Sequence, residues 1–168
     1  MLPFIVRAGD DRRTGRLHVA GAEISVKISS EDTGGAYTVF EGVLPPLSGP
    51  PLHCHRSQDE WWYIVCGQFR FRVGEEIILA STGDTVFAPR GVPHTFQNIG
   101  EQDGVTLTTA VPGGLDTFFE ELDAAVPDGR VDLAAVQPIF EKHDMELLEP
   151  PLAVTMAQSA VRRRGSEI

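Results

Sequence analysis

The sequence predicts an all-β, antiparallel sandwich or barrel followed by a short C-terminal helical extension, on three observations. Between residues 17 and 110, short segments rich in β-branched and aromatic side chains recur, most of them separated by Gly, Pro, Asp or Ser. Several alternate apolar and polar residues with the period of two expected of a half-buried strand. After Pro112-Gly113-Gly114 the apolar spacing lengthens to that of a helix.

Taken in order, the strand-like segments are 17–19, 24–28, 37–43, 61–65, 68–73, 77–79, 85–88, 94–98 and 105–110. The segment 68–73 is the clearest: Phe69, Phe71 and Val73 share one face and Arg70 and Arg72 the other, so one side packs and the other meets water. Regular short strands at this spacing mean a closed or double-layered antiparallel architecture. In the extension, Leu115, Phe118, Phe119, Leu122 and Val126 recur among Asp and Glu, which predicts an amphipathic helix ending near Pro127-Asp128-Gly129. Asp132 is the candidate N-cap of a second helix through Leu133, Val136, Ile139 and Phe140. Together the helices are expected to cover the barrel or to form a dimer contact. The expected organisation is a barrel over 1–112, a helical extension over 113–153 and a flexible tail over 154–168. The run Arg162-Arg163-Arg164 falls in that tail as solvated charge.

With 168 residues, 14 Lys and Arg, and 24 Asp and Glu, the chain carries a net charge of −10. An acidic surface works against binding a phosphate backbone, so no nucleic-acid partner is expected. No segment has the length and apolarity of a membrane span and the first residues lack the pattern of a secretory signal, so a cytoplasmic protein with no membrane partner is expected. The two cysteines, Cys54 and Cys66, are expected to be reduced and buried. Cys54 is out of phase with its histidine neighbours, whereas Cys66 shares the phase of Glu60 unless a bulge intervenes. Exposed barrel edges and the terminal helices favour a homodimer.

The chemistry concentrates in eight residues, His53-Cys54-His55-Arg56-Ser57-Gln58-Asp59-Glu60. On a strand, His53 and His55 project from one face, and the polar stretch before Glu60 can turn the chain so that a β-hairpin brings this carboxylate beside them. His94 follows the stiff turn Pro89-Arg90-Gly91-Val92-Pro93, which defines where its strand begins. Three imidazoles and a carboxylate suit one divalent transition metal: Fe, Mn, Ni, Co, Cu or Zn. His18 and His143 have no such partners. By strand parity Trp62 and Ile64 share the face of Glu60, and Phe96 and Asn98 that of His94, so these four are expected to line or approach a substrate pocket, with Asn98 bracing a turn or a ligand.

These residues also carry a resemblance. The pattern His53-x-His55-x(4)-Glu60-x(6)-Gly67 resembles the first cupin motif, and Gly83-x(5)-Pro89-x-Gly91-x(2)-His94-x(3)-Asn98 resembles the second without a gap. The glycine usual six residues before the first histidine is absent; Gly49 stands four before it instead, as a turn-shaping residue. The resemblance, over roughly residues 35 to 112, implies a jelly-roll barrel with a metal inside its mouth, held by His53, His55, Glu60 and His94. The stretches Gly49-Pro50-Pro51-Leu52, Gly67-Gln68-Phe69-Arg70-Phe71 and Pro112-Gly113-Gly114-Leu115-Asp116-Thr117-Phe118-Phe119 are similar to cupins of the quercetin 2,3-dioxygenase-like group. That likeness implies a metal-dependent dioxygenase of a flavonol-like or other enolic or phenolic small molecule, with Glu60 as catalytic base. Two alternatives stand beside it: a metal-dependent isomerase or lyase of a small sugar or keto acid, and a non-catalytic small-molecule-binding cupin.

Overall fold

The computed structural model describes residues 2–13, 15–19, 21–126 and 132–150. The turn expected at Pro127-Asp128-Gly129 and the tail with its arginine run lie outside the described residues. Strands are β1 (Leu17–Val19), β2 (Ala22–Ile28), β3 (Thr38–Leu44), β4 (Leu52–His55), β5 (Asp59–Cys66), β6 (Gln68–Val73), β7 (Glu76–Ser81), β8 (Thr85–Ala88), β9 (His94–Asn98), β10 (Gly104–Val111) and β11 (Met145–Glu149), with helices α1 (Leu115–Ala125) and α2 (Leu133–Lys142) between the last two. One sheet runs β1-β2-β3-β10-β5-β8 and the other β11-β4-β9-β6-β7, with neighbouring strands antiparallel. Alternation does the folding: Thr38, Phe40, Gly42 and Leu44 are buried on β3 while Val39, Glu41 and Val43 are only half-buried. Between the sheets Trp62, Phe71 and Phe96 pack in offset and tilted pairs 5.1 to 5.7 Å apart, near the preferred geometry of aromatic rings.

Three expectations are corrected here. The segment from His53 to Glu60 is not a hairpin: β4 belongs to one sheet and β5 to the other, so residues 56–58 cross between layers and Glu60 faces the histidines across the interior. The segment 113–150 is not wholly helical. Met145-Glu146-Leu147-Leu148-Glu149 is composed of good helix formers, yet it pairs antiparallel with β4, Met145 opposite His55 and Leu147 opposite His53. Burial of Met145 against the core outweighs local propensity. Finally Cys66 is exposed, because the β5–β10 register slips between Cys66 and Ile64 and turns it off the face of Glu60; Cys54 alone is buried.

The displaced Gly49 also has a different reason from the one expected. A Cβ there would lie 1.9 Å from the carbonyl oxygen of Phe96, so the position requires glycine for close approach. Residues 47–50 run along β9, where Leu47 N donates to Asn98 O, Asn98 N to Ser48 O, and Thr95 Oγ1 to Pro50 O. This pinned loop covers the outer side of β9 and delivers the chain into β4.

Helices α1 and α2 close one end of the two-layer body through Leu115, Phe118, Leu122, Val136 and Phe140. The first turn of α1 is latched by Asp116, whose fully buried carboxylate accepts from Ser30 N, Ser30 Oγ and Arg13 Nη1, the last at 2.7 Å. Asp132 caps α2 as expected, accepting from Ala134 N. Among the described residues no helix is long and apolar enough to cross a membrane.

Burial alone would raise the Asp116 pKa, but the hydrogen bonds from Ser30 and Arg13 outweigh it and hold the carboxyl below its ordinary value. Its contribution is therefore present above the ordinary carboxylate range near pH 4 and lost as pH falls through the depressed value. Asp116→Asn is expected to lower stability at neutral pH by about 2 kcal/mol and to flatten the acid limb of the stability curve. Denaturant melts from pH 7 down to pH 3 check this; unchanged melts would mean the latch contributes nothing.

Candidate metal centre

His53 and His55 sit at i and i+2 on β4, His94 opens β9 directly opposite His53, and Glu60 comes from β5 in the facing sheet. On β5 and its neighbours Glu60 is flanked by Ala110 and Ala88, whose small side chains leave it room. The four metal-capable atoms lie within 4.8 Å of one another and all four residues are buried. His53 Nε2 is 3.1 Å from His55 Nε2, and Glu60 Oε2 is 3.1 Å from His94 Nε2 and 3.5 Å from His55 Nε2.

The hydrogen bonds behind the rings decide what the cluster offers. His53 Nδ1 meets the Pro51 carbonyl at 2.8 Å and His94 Nδ1 the Val92 carbonyl at 3.0 Å, so each must donate there. His55 Nδ1 meets Gln58 Oε1 at 3.0 Å; the Gln58 amide is oriented by its Nε2, which donates to Pro112 O and Gly113 O. A neutral imidazole that donates through Nδ1 has only a lone pair at Nε2. Three lone pairs and a carboxylate oxygen thus converge, acceptors all. A single proton serves one pair of them, whereas one cation serves the four together. Ligand atoms bound about 2.1 Å from a transition metal lie about 3.0 to 3.4 Å from their nearest neighbours, and the spacings of 3.1, 3.1 and 3.5 Å are near this, with all four atoms inside 4.8 Å. Burial, then the neighbouring His94 and His55, pushes the His53 imidazole well below its usual pKa; burial also lowers His55, with Glu60 opposing. Rings kept neutral are the form that binds a metal. The residues present fit a divalent transition metal.

Two outer contacts hold the loops in place. Asp59 accepts from the Arg90 backbone and guanidinium, tying the turn before His94 to the start of β5, and Gly91 N donates to His55 O. Cys54 faces away from the cluster, and its thiol pKa is raised by burial and then by Glu146.

The cluster forms one wall of a cavity of about 860 Å³, counting its open mouth, that runs between the sheets and the two helices. Trp62 and Phe96 line it. Ile64 and Asn98 do not: Ile64 is packed in the core, and Asn98 is spent on a turn, donating to Leu44 O and Gln102 O while accepting from Gly100 N. Strand parity places all four correctly inward, but Ile64 and Asn98 lie deeper in the barrel, beyond the reach of the cavity. Sequence reasoning missed Gln58, which carries no motif signal, and the chamber walls supplied by Phe40, Leu115, Phe119 and Val136. The apolar stripe of α1 was the available sign of the latter.

Comparison with known proteins agrees with this geometry. Residues 40–110 match the family model described as Cupin domain. The fold is a cupin jelly roll: an RmlC-like cupin from Shewanella frigidimarina superposes with a TM-score of 0.53 at 20% identity, over 62% of this chain and 89% of that one. A Thermotoga maritima structure described as a predicted oxalate decarboxylase superposes with a TM-score of 0.58 at 25% identity, over 65% of this chain and 99% of that one. A probable oxidoreductase of Hypocrea virens is 32% identical over 78 residues, 45% of this chain and 36% of that protein. The matched stretch spans between 15% and 54% of the length of the curated relatives.

Gln58→Leu is expected to leave the barrel folded and weaken metal binding about 10- to 100-fold, because His55 loses the acceptor that aims it. Chelator-competition titration reads this directly, and wild-type affinity in the variant would remove Gln58 from the site.

Proposed function

We propose that the protein is a metal-dependent oxidoreductase, a dioxygenase of an enolic or phenolic, flavonol-like small molecule. One observation carries the choice: His53, His55 and Glu60 of the cluster open onto a cavity whose lining, among the described residues, contains no lysine or arginine and, besides Glu60, no acid. A bound metal would meet one carboxylate, but small sugar acids, keto acids and dicarboxylates carry further polar groups that need a partner side chain once removed from water. Arg70 and Arg72 are on the outward face of β6, where Arg70 donates to Gln97 and Arg72 pairs with Glu149, so neither serves that purpose. The likeness to a protein named for oxalate therefore supports the fold and not the substrate.

A divalent transition metal, when bound, supplies a Lewis acid with coordination positions beyond the four protein donors. The chain does the rest. His53, His55 and His94 present neutral lone pairs oriented from behind, and Glu60 is the group placed to take the proton of an enolic or phenolic hydroxyl. Trp62 and Phe96 add two aromatic rings, edge-on to each other, to the same cavity, and the apolar walls exclude water, which strengthens the electrostatic contacts inside.

Metal analysis of the purified protein followed by oxygen-uptake assays over a flavonol panel tests the reading. Uptake dependent on both metal and flavonol is expected; tight binding of a sugar acid with no uptake for any metal would replace it with the isomerase or binding-module reading. Glu60→Gln, with bound metal verified, is expected to lower turnover about 100-fold or more. Full activity in that variant would remove Glu60 as the base.

A further inference from the structure

Away from the cluster the cavity changes character. Its outer part is bounded by Phe40, Leu44, Leu115, Phe119, Leu122 and Val136; beside them, opposite Gly42 and Phe40, stand Thr106 and Thr108 of β10, whose hydroxyls, 3.5 Å apart, are the hydroxyls on the lining among the described residues. The helical extension builds half of this wall. Phe119 meets Phe40 edge-on at 4.8 Å, so α1 touches the barrel at the rim of the chamber.

Gly42 lies in the middle of this wall. It occupies an inward position of β3, between Phe40 and Leu44, where every other inward residue carries a side chain. Its backbone is not left-handed, so conformation does not call for glycine. A Cβ there would lie 3.2 Å from Thr106 Oγ1, 3.4 Å from Leu44 Cδ1 and 3.6 Å from Ile24 Cδ1, contacts with side-chain ends and not with backbone. Glycine inside a strand weakens it, and one use that offsets the cost is room for a ligand.

We propose that the chamber beneath α1 and α2 receives the apolar body of a ligand, aromatic or alkyl, whose single oxygen-bearing end faces the His–Glu cluster, and that Gly42 sets how bulky that body is. The inference rests on the cluster being the ligand-binding end, as argued above, but not on the reaction there being an oxygenation. The ligand class follows from the walls. An apolar body gains free energy by leaving water for this chamber, whereas a polar or charged body would lose hydration against walls that offer it no cationic side chain.

A series of 4-alkylphenols from methyl to hexyl, titrated into the full chain at known metal content and followed by calorimetry, is the direct test, with 4-(2-hydroxyethyl)phenol as the comparison ligand. Affinity is expected to rise about fourfold per methylene until the chamber is full, and 4-(2-hydroxyethyl)phenol to bind more weakly than 4-propylphenol of the same size. Gly42→Val is expected to weaken the longest members about tenfold or more while leaving phenol itself within about twofold, since the added methyls occupy the body of the chamber. Should that variant fail to fold, Phe119→Ala decides: it enlarges the rim and is expected to shift the best chain length upward by one or two carbons. A flat series, 4-(2-hydroxyethyl)phenol bound as tightly as 4-propylphenol, or an unchanged optimum in Phe119→Ala would overturn the assignment. Graded affinity without oxygen uptake supports the chamber and counts against the dioxygenase alone; uptake with a flat series does the reverse.

Discussion

Four hydrogen-bond acceptors turned toward one another in a dry interior are costly unless a cation lies between them, and much of this molecule is arranged to hold them so. Each imidazole is aimed by an acceptor on its far side: the Pro51 carbonyl, the Gln58 side chain and the Val92 carbonyl. Those acceptors belong to three different connections, the loop entering β4, the crossing from β4 to β5, and the turn entering β9. The connections are themselves restrained, residues 47–50 by β9 and Arg90 by Asp59. The cluster is thus a property of the two-sheet frame and not of any one segment.

The same frame joins the site to its cover. Gln58 spans from His55 to the Pro112 and Gly113 carbonyls, immediately before α1 begins. Gly114 N donates to Thr38 Oγ1, and Asp116 binds Ser30 and Arg13, so the first turn of the cover is tied to the barrel on two sides. The chain then returns as β11 along β4, the strand that carries two of the histidines. Phe140 of α2 packs edge-on to the His53 ring at 6.1 Å. Cover and cluster therefore share contacts, and the apolar chamber between them is bounded by both.

The charge distribution sharpens the chemical reading. The chain has a net charge of −10, yet the cavity lining, among the described residues, holds one carboxylate and no lysine or arginine. Arginines near the barrel strands point outward and are engaged with Gln97, Glu149 and Asp59. A cavity of this kind discriminates by shape and apolar contact around one polar end. The cupin frame is used for many chemistries, so it is these walls that bear on substrate class.

Much of the centre was legible in the chain itself. The spacing of His53 and His55 forces them onto one strand face, Pro89 to Pro93 defines the start of the strand of His94, and alternation on β3, β5 and β6 marks which side is buried, because strand geometry is local and has a period of two. What remained hidden depends on partners distant in sequence. Whether Glu60 returns by a hairpin or faces across from a second sheet is settled by which strands pair, not by the residues that connect them. Met145 to Glu149 is a strand only because β4 offers an unpaired edge, and Gln58 matters only because Pro112 and Gly113 fold against it. The sequence by itself determined the donors, their strand faces and the apolar stripe of α1; the tertiary structure alone decided that these donors meet with their lone pairs inward, and that the stripe roofs a chamber with Gly42 in its wall, since both are relations between surfaces brought together by long-range packing.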